Sequence, residues 1–434
     1  MSELASIGPD LVSLAIESIA AGGDGVARHE GLVVFVPRTA PGDRILAKVE
    51  RQRRFARGVV ERVEVASPVR TDPACEHYAT DRCGGCQLQH LTLPAQQEAK
   101  RTIIADTMRR IGRRTVEVPP LRAGASPWRY RARLSLALRR RADRSWYAGM
   151  HAWDDVAHVF ELRDCRITDE RVIALWRELM LAADGLPDVP ALRGTVRRVG
   201  DRGALILEGG TVWPGADAFV SRLPSFDHAW WVPDGSRRRR IGLGTSALPS
   251  VASGAPAGAH GAAGAHASFS QVNPEVAKAM ASAVLGLVLA HRPTHVLDAY
   301  SGSGDLSVAL HERGIRATAV ELDEDATTYA ASRLHRPSRA VTARVEDVLA
   351  GLFPADVIVL NPPRAGVDAR VAALIEGAAP APDAVVYISC DPATLARDIA
   401  RMPSWAIKSV TAFDMFPQTA HVETVVELVR TVTS

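Results

Sequence analysis

The strongest constraint on the fold is a regular alternation of helix-like and strand-like segments from Asn273 to the C-terminus. A helical pattern at 274–289 is followed by an apolar strand at 295–298, and β-branched runs then recur between helix-length segments. Such buried runs with helices between them predict an α/β domain built on a doubly wound parallel sheet. The further predicted strands are 316–321, 341–345, 356–360, 384–389 and 424–429.

Polar and glycine residues follow the first three of these strands, where ligands of such sheets bind. A glycine-rich turn at 298–305 lets the backbone approach a ligand closely, and Glu321 ends the next strand about 20 residues on, where a carboxylate can accept bonds from ribose hydroxyls. Asp347 follows the third strand, within reach of an adenine amino group. The turn lacks the full GxGxxG pattern, which favours S-adenosylmethionine over a dinucleotide.

The later strand ends carry groups suited to covalent chemistry. Asn361 and Arg364 flank two prolines that stiffen the backbone, so both side chains can face the pocket. Cys390 follows the strand at 384–389; a lone cysteine is more often a small buried side chain, but this position favours a nucleophile. Glu423 precedes the last strand and is suited to act as a base.

These groups together match methylation at carbon 5 of uracil. That carbon is a poor nucleophile until a thiolate adds to carbon 6 and generates an enolate. After methyl transfer, a base must remove the proton on carbon 5 before the thiol is expelled. One cysteine, one carboxylate and a sulfonium cofactor are the minimal set for this reaction.

The sequence motifs resemble those of the RNA (uracil-5-)-methyltransferase family. The similar segments are SGSGD (301–305), NPPRAG (361–366), SCDPATLARD (389–398), DMFPQTAHVE (414–423) and the segment 269–273. The resemblance implies a Rossmann-like class I methyltransferase domain with Cys390 as nucleophile and Glu423 as base. It also implies that S-adenosylmethionine is bound by Gln271, Tyr300, Asp305, Glu321, Asp347 and Asn361. The family usually has Asp where this chain has Asn361.

The N-terminal part has a different pattern, that of a small all-β module. Five short strands separated by glycine-rich turns at 11–65 favour an OB-like barrel, and this segment also resembles a TRAM RNA-binding domain. Residues 70–248 read as a mixture of helices and strands, and 249–266 as a linker rich in Ala, Gly, Ser and Pro. The predicted domains are therefore a barrel (1–68), a central α+β domain (69–266) and the methyltransferase domain (267–434).

The charge is divided between these parts, although the net charge is only +3. Residues 267–434 carry 14 basic and 19 acidic side chains, whereas residues 1–266 carry 38 and 30. Arginine dominates the cations, and clustered arginine favours contacts with phosphates and bases. We expect the front of the chain to bind RNA and the back to do chemistry. The resemblance to a TRAM domain, together with a cysteine cluster, implies ribosomal RNA more readily than transfer RNA.

The four remaining cysteines, Cys75, Cys83, Cys86 and Cys165, suggest a metal site. Their spacing alone fits a structural zinc ion and a [4Fe–4S] cluster equally well. The Cys83-Gly-Gly-Cys86 segment and the late Cys165 resemble the iron–sulfur site of the same methyltransferase family, which favours the cluster, although the family's first gap is commonly shorter than the one that follows Cys75.

We expect a cytoplasmic enzyme with no membrane span and no obligate protein partner. The longest apolar stretch, 279–290, has 12 residues, against the ~20 needed to cross a bilayer, and residues 1–10 have no signal-peptide pattern. The alternatives are a transfer RNA uridine-54 methyltransferase and a non-catalytic RNA-binding or ribosome assembly factor. Cytosine-5 methylation is disfavoured, because the Pro-Cys or Thr-Cys context of that nucleophile is missing.

Overall fold

A computed structural model of the chain describes residues 11–242 and 271–431. Three β-sheets follow one another along the chain. The N-terminal residues 1–10 and the predicted linker at 249–266 lie outside the described residues. Within the residues described, no helix is long and apolar enough to cross a membrane.

The first sheet contains six strands, where the sequence suggested five. Residues 11–19 form two separate strands, because the first part of this segment pairs with the fifth strand and the second part with the third. Leu14, Val34 and Ile45 belong to the small core on the inner face of this sheet. The strands are β1 (Leu11–Ala15), β2 (Ser18–Ile19), β3 (Gly25–His29), β4 (Leu32–Val36), β5 (Arg44–Arg51) and β6 (Ala56–Val65), in the order β1-β5-β6-β4-β3-β2.

The second sheet has seven strands and packs against a helix at Glu170–Leu181. Asp169 caps this helix by accepting a bond of 2.8 Å from the amide of Arg171, and Trp176 and Leu179 on the buried face join the core of the sheet. The elements are α1 (Glu76–Ala79), α2 (Leu93–Arg110), β7 (Arg133–Arg140), β8 (Trp146–His151), β9 (Val159–Glu161), α3 (Glu170–Leu181), β10 (Ala191–Val199), β11 (Arg202–Glu208), α4 (Ala216–Val220), β12 (Phe226–Val232) and β13 (Arg239–Arg240), with strand order β13-β12-β11-β10-β7-β8-β9.

The third sheet is the predicted α/β unit. Its core strands are almost fully buried on both faces, as the continuous apolar runs indicated. The elements are α5 (Pro274–Ala290), β14 (His295–Ala299), α6 (Asp305–His311), β15 (Arg316–Glu321), α7 (Glu324–Arg333), β16 (Arg339–Thr342), α8 (Val345–Val348), β17 (Val357–Leu360), α9 (Ala369–Glu376), β18 (Ala384–Ser389), α10 (Pro392–Ala400), β19 (Trp405–Phe413) and β20 (Glu423–Arg430), with strand order β16-β15-β14-β17-β18-β20-β19.

Two expectations about this sheet are wrong in detail. Five strands are parallel, but β19 and β20 form an antiparallel hairpin at one edge, and β19 was not predicted from the sequence. The strand expected at 341–345 ends at Thr342, and Val345 begins the short helix α8 instead. Val345 is apolar because it packs into the core from that helix, so its hydrophobicity was mistaken for strand pattern.

A buried ion pair joins helix α2 to the loop between β19 and β20. Lys100 Nζ lies 2.6 Å from Asp414 Oδ1 and also donates to the carbonyl of Phe416 at 3.0 Å. Both charged side chains are completely inaccessible to solvent. Burial lowers the pKa of Lys100, which Asp414 opposes. The pair therefore joins the second sheet's part of the chain to the hairpin of the third.

Further contacts fix the same loop. Gln96 and Gln418 exchange two hydrogen bonds of 2.9 Å, and Gln418 has a left-handed φ of 71°. The hydroxyl of Tyr130 donates to the carbonyl of Pro417 at 3.0 Å, and the amide of Leu88 to that of Gln418 at 3.0 Å. The loop is thus held by three separate segments of the chain before it enters β20.

We predict that Lys100→Met destabilises the protein by about 3–5 kcal/mol, because it leaves the carboxylate of Asp414 buried without its cation. The double variant Lys100→Met/Asp414→Leu should regain a large part of that loss, since no buried charge remains. Arg109→Met on the same helix removes only an exposed pair with Asp106 and should cost less than about 1 kcal/mol. Urea unfolding measures the free energy of unfolding of all three variants. Equal losses of stability for Lys100→Met and Arg109→Met would show that the buried pair matters no more than an exposed one.

Candidate active site

The pairing of β18 with β20 brings the predicted nucleophile and base together. Ser389 at the end of β18 pairs with Thr424 of β20. Cys390 and Glu423 are the next residues on the two antiparallel strands, so they are neighbours at the carboxyl edge of the sheet. Glu423 is 4% exposed, whereas Cys390 is partly accessible. The site therefore has a partly accessible thiol beside a buried carboxyl group.

The surroundings tune both groups. Burial raises the pKa of Glu423 to about 7, partly offset by the cation of Arg364. Burial also raises the pKa of the Cys390 thiol, and the charge of Glu423 adds to that rise, whereas Arg364 lowers it. Near neutral pH, Glu423 is thus present in both protonation states, as a group that accepts and releases a proton requires.

Arg364 and Asn361 lie in the loop after β17, next to β18 in the sheet. The amide of Asn361 donates to the carbonyl of Ala299 at 3.2 Å, and both Asn361 and Arg364 are exposed to solvent. Thr394 Oγ1 donates to the carbonyl of Arg364 at 3.1 Å, which ties this loop to the helix after Cys390. The positive charge of Arg364 lowers the pKa of both the thiol and the carboxyl group.

The glycine-rich turn lies at the carboxyl end of β14, as expected. Tyr300 has a left-handed φ of 62°, which directs the chain into the turn. Glu321 Oε2 accepts from the amide of Gly302 at 3.0 Å, while its Oε1 accepts from the amide of Asp323 at 2.9 Å. The turn and the carboxylate at the end of β15 are thus directly joined.

The turn is suited to hold a ligand. A side chain added at Gly302 would meet nothing within 4 Å, so there is open space above the backbone. The buried hydroxyl of Ser301 has no partner among the described residues. Asp305, which begins α6, is exposed and pairs with Arg333 at 2.9 Å. Open space, free hydroxyl and carboxylates together fit the polar parts of S-adenosylmethionine.

Two of the predicted cofactor residues are less well placed. Asp347 lies on the short helix α8 rather than directly after a strand, and it pairs with Arg370 at 3.2 Å. Gln271 is partly buried and is the first described residue after the gap at 243–270, which includes the first two residues of the 269–273 motif. The structure therefore brings Tyr300, Asp305 and Glu321 together but gives no contact that joins Gln271 to them.

Two residues near the site were missed by the sequence reasoning. Asp298 is buried at the end of β14, accepts from Ser307 Oγ at 2.7 Å and has its pKa raised by burial to about 6. His421 lies beside Phe416, with ring centroids 5.8 Å apart, and burial and the cation of Arg364 lower its pKa. Asp298 lies in the glycine-rich turn at 298–305, and His421 lies in the similar segment at 414–423. These two motifs were the sequence signal that could have identified both residues.

The other four cysteines converge far along the chain from Cys390. Cys75, Cys83, Cys86 and Cys165 all line one small cavity between the α1 segment and the loop after β9. Burial raises the pKa of Cys83 to about 12 and that of Cys86 well above its usual range. In the described part of the chain, no three His, Cys, Asp or Glu side chains are arranged to hold a metal ion as they stand. The donor set is nevertheless all thiol, as an iron–sulfur cluster requires.

Comparisons with known proteins point to one family. A family model described as tRNA (uracil-5-)-methyltransferase matches residues 336–431, which include Asn361, Cys390 and Glu423. The chain is similar over 96% of its length to the solved tRNA (uracil-54, C5)-methyltransferase of Pyrococcus abyssi in complex with S-adenosyl-L-homocysteine, with a TM-score of 0.67, 23% identity and 99% of that chain covered. At this identity the likeness shows a shared fold.

Relatives of higher identity cover nearly the whole chain. The 23S rRNA (uracil(1939)-C(5))-methyltransferase RlmD of Halomonas elongata is 32% identical over 96% of this chain and 89% of the relative. The enzyme of the same name from Bordetella parapertussis is 31% identical over 95% of this chain and 92% of the relative. The chain therefore belongs to the RNA (uracil-5-)-methyltransferase family and is an S-adenosylmethionine-dependent RNA uracil-C5 methyltransferase.

Proposed function

We propose that the protein methylates carbon 5 of a uridine in 23S ribosomal RNA through a covalent bond between Cys390 and carbon 6 of the base. The observation that carries the proposal is the pairing of β18 with β20, which sets the thiol beside a buried carboxyl group. Two relatives that are 31–32% identical and are named for 23S ribosomal RNA support this substrate. Transfer RNA is the second candidate, since the Pyrococcus abyssi enzyme of similar fold is named for uridine 54.

In the proposed mechanism, the Cys390 thiolate adds to carbon 6, and the electron pair of the 5,6 double bond makes carbon 5 nucleophilic. The cation of Arg364 favours the thiolate needed for this addition. S-adenosylmethionine supplies the methyl group as an electrophile on its sulfonium sulfur. Glu423 then takes the proton from carbon 5, the double bond forms again, and Cys390 leaves as thiolate. Glu423 returns its proton to solvent before the next cycle.

We further propose that six residues bind S-adenosylmethionine: Gln271, Tyr300, Asp305, Glu321, Asp347 and Asn361. The open turn beside Tyr300 and Asp305 supports a site for the amino acid part of the cofactor. Glu321, held by backbone amides at the end of β15, is suited to accept from the ribose hydroxyls. Asp347 on helix α8 would border the adenine, and Asn361 after β17 would border the methyl group.

The proposed division of labour follows the predicted domains. A TRAM-like barrel (1–68) and a central domain (69–266) hold the RNA, and residues 267–434 carry out the reaction. The exposed Arg53 and Arg54 in the loop between β5 and β6 support the first assignment, with Phe55 packed against Phe35 at 5.6 Å beside them. An enzyme of this kind would act in the cytoplasm, where its RNA is made, without an obligate protein partner.

We propose that Cys75, Cys83, Cys86 and Cys165 hold a [4Fe–4S] cluster. All four line one cavity, and every donor there is a thiol. Four cysteine ligands suit a [4Fe–4S] cluster and a zinc ion alike. The resemblance of the Cys83-Gly-Gly-Cys86 segment and of Cys165 to the family's iron–sulfur site favours the cluster.

The substrate and the nucleophile are tested in one experiment. Wild-type enzyme should transfer a labelled methyl group to unmodified 23S ribosomal RNA and not to unmodified transfer RNA. Cys390→Ala should reduce transfer to background and form no covalent adduct with RNA, while cofactor binding by calorimetry stays intact. Retained turnover by Cys390→Ala would remove it as nucleophile, and preferential labelling of transfer RNA would favour the second substrate.

The base assignment predicts a pH dependence. Because the pKa of Glu423 is about 7, removal of the carbon 5 proton should speed up as the pH rises through 7 and the carboxylate forms. Glu423→Gln should slow this step by roughly 10²- to 10⁴-fold and let a covalent RNA–protein adduct accumulate on a denaturing gel. Glu427→Gln changes another buried carboxyl group on the same strand and should neither slow this step nor let the adduct accumulate. If Glu423→Gln forms no adduct while Cys390 remains reactive, Glu423 is not the base.

The cluster predicts a brown protein after anaerobic purification, with iron and acid-labile sulfide in equal amounts. Cys86→Ser, which alters a buried ligand, should lose the visible absorption and most of the iron. Cys390→Ala is the matched control, since it removes a thiol outside the cavity and should keep the cluster. A colourless protein with one zinc ion per chain would overturn the proposal.

A further inference from the structure

The loop after β17 carries Arg364, the cation whose charge lowers the pKa of both Cys390 and Glu423. The loop also contains Gly366, whose φ is 80°. A side chain at Gly366 would collide with Asp398 at 2.3 Å and Thr394 at 2.3 Å, so helix α10 packs directly against the backbone here. The position of this loop is therefore set from α10, the helix that begins after Cys390.

Asp398 is the centre of that contact. It is completely buried, and its Oδ2 accepts from the amide of Val367 at 3.0 Å and from the hydroxyl of Tyr387 at 2.8 Å. Its Oδ1 accepts from Arg397 at 2.8 Å and from Arg401 at 3.1 Å. One buried carboxylate thus joins the loop, strand β18 and helix α10.

Two more bonds from the same helix hold the carbonyls next to Arg364. Arg397, while bound to Asp398, also donates to the carbonyl of Ala365 at 2.7 Å. Thr394 Oγ1 donates to the carbonyl of Arg364 itself at 3.1 Å. Residues 364, 365 and 367 are therefore all fixed to one helix, and that helix is continuous with the residue that bears the thiol.

We propose that Asp398, together with Thr394 and Arg397, is a positioning residue for the methyl transfer: it fixes the 364–367 loop so that the cation of Arg364 faces Cys390 and Glu423. Asp398 touches neither of these groups and acts through Arg364. The inference rests on the proposed roles of Cys390 and Glu423 and adds the element that keeps their electrostatic partner in place.

The charges around the thiol make the effect measurable. Burial raises the pKa of Cys390, the charges of Glu423 on β20 and of the adjacent Asp391 add to that rise, and Arg364 opposes it. His421, before β20, lies in the fields of Arg364, Lys100, Arg131 and Asp391. Displacement of Arg364 removes the cation that lowers the pKa of Cys390, so we expect that pKa to rise.

The test measures Cys390 alone, without RNA or cofactor. The rate of iodoacetamide alkylation of the Cys390 peptide is followed by mass spectrometry as a function of pH in the full-length protein. Asp398→Asn should move the midpoint of this pH profile upward by roughly 1 pH unit, because the displaced Arg364 no longer stabilises the thiolate of Cys390. Thr394→Val, which removes one loop bond and no buried charge, should move it less in the same direction and serves if Asp398→Asn does not fold.

Glu427→Gln is the matched control. Glu427 is also a buried carboxylate in this sheet, with bonds from His291 at 2.7 Å and Lys408 at 2.9 Å, but it does not contact the 364–367 loop. The Glu427→Gln protein should lose about as much stability as Asp398→Asn, and the midpoint of Cys390 alkylation should stay unchanged. Unchanged midpoints in Asp398→Asn or Thr394→Val, or an equal shift in Glu427→Gln, would overturn the proposal. Failure of Cys390 as nucleophile would show instead in the methylation assay of Cys390→Ala.

Discussion

The buried contact between Lys100 and Asp414 is the interaction on which the joining of the chain's parts depends. Two ions that are fully removed from water are stable only while each compensates the other, so the contact tolerates little relative movement. Helix α2 and the hairpin loop are thereby fixed as one unit. Because that loop runs directly into Glu423, the same contact also fixes where the carboxyl group meets the thiol of Cys390.

The site combines two environments that seem opposed. Glu423 is buried enough for its pKa to reach about 7, yet Cys390 needs a cation close by to exist as a thiolate. Arg364 serves both purposes because it sits in an exposed loop: it is near enough to be felt by both groups and remains hydrated itself. A buried arginine would pair with Glu423 outright and remove it as a base.

The sequence predicted those features that depend on local pattern. The strands at 316–321 and 384–389 have the predicted bounds, since apolar β-branched runs between turns leave little choice. The convergence of Cys390 and Glu423 was expected from motifs, but the reason for it, the antiparallel edge hairpin, was not. Strand β19 is at least partly accessible from Ala406 to Ser409 and has no continuous apolar run to mark it. The role of Asp398 depends on contacts with Tyr387 and Val367, which no local pattern encodes.

The depth of the site also bears on how RNA reaches it. Glu423 is 4% exposed and Cys390 is only partly accessible, so a base stacked in a helix cannot place carbons 5 and 6 between them. The target uridine must leave its stack, which costs a few kcal/mol that contacts elsewhere have to supply. The part of the chain with the excess of acidic residues is poorly suited to hold phosphates, whereas residues 1–266 carry 38 of the 52 basic side chains. Under the proposed function, contacts made by residues 1–266 supply the energy to extract the base, which gives a role to the two sheets that do not carry the reaction.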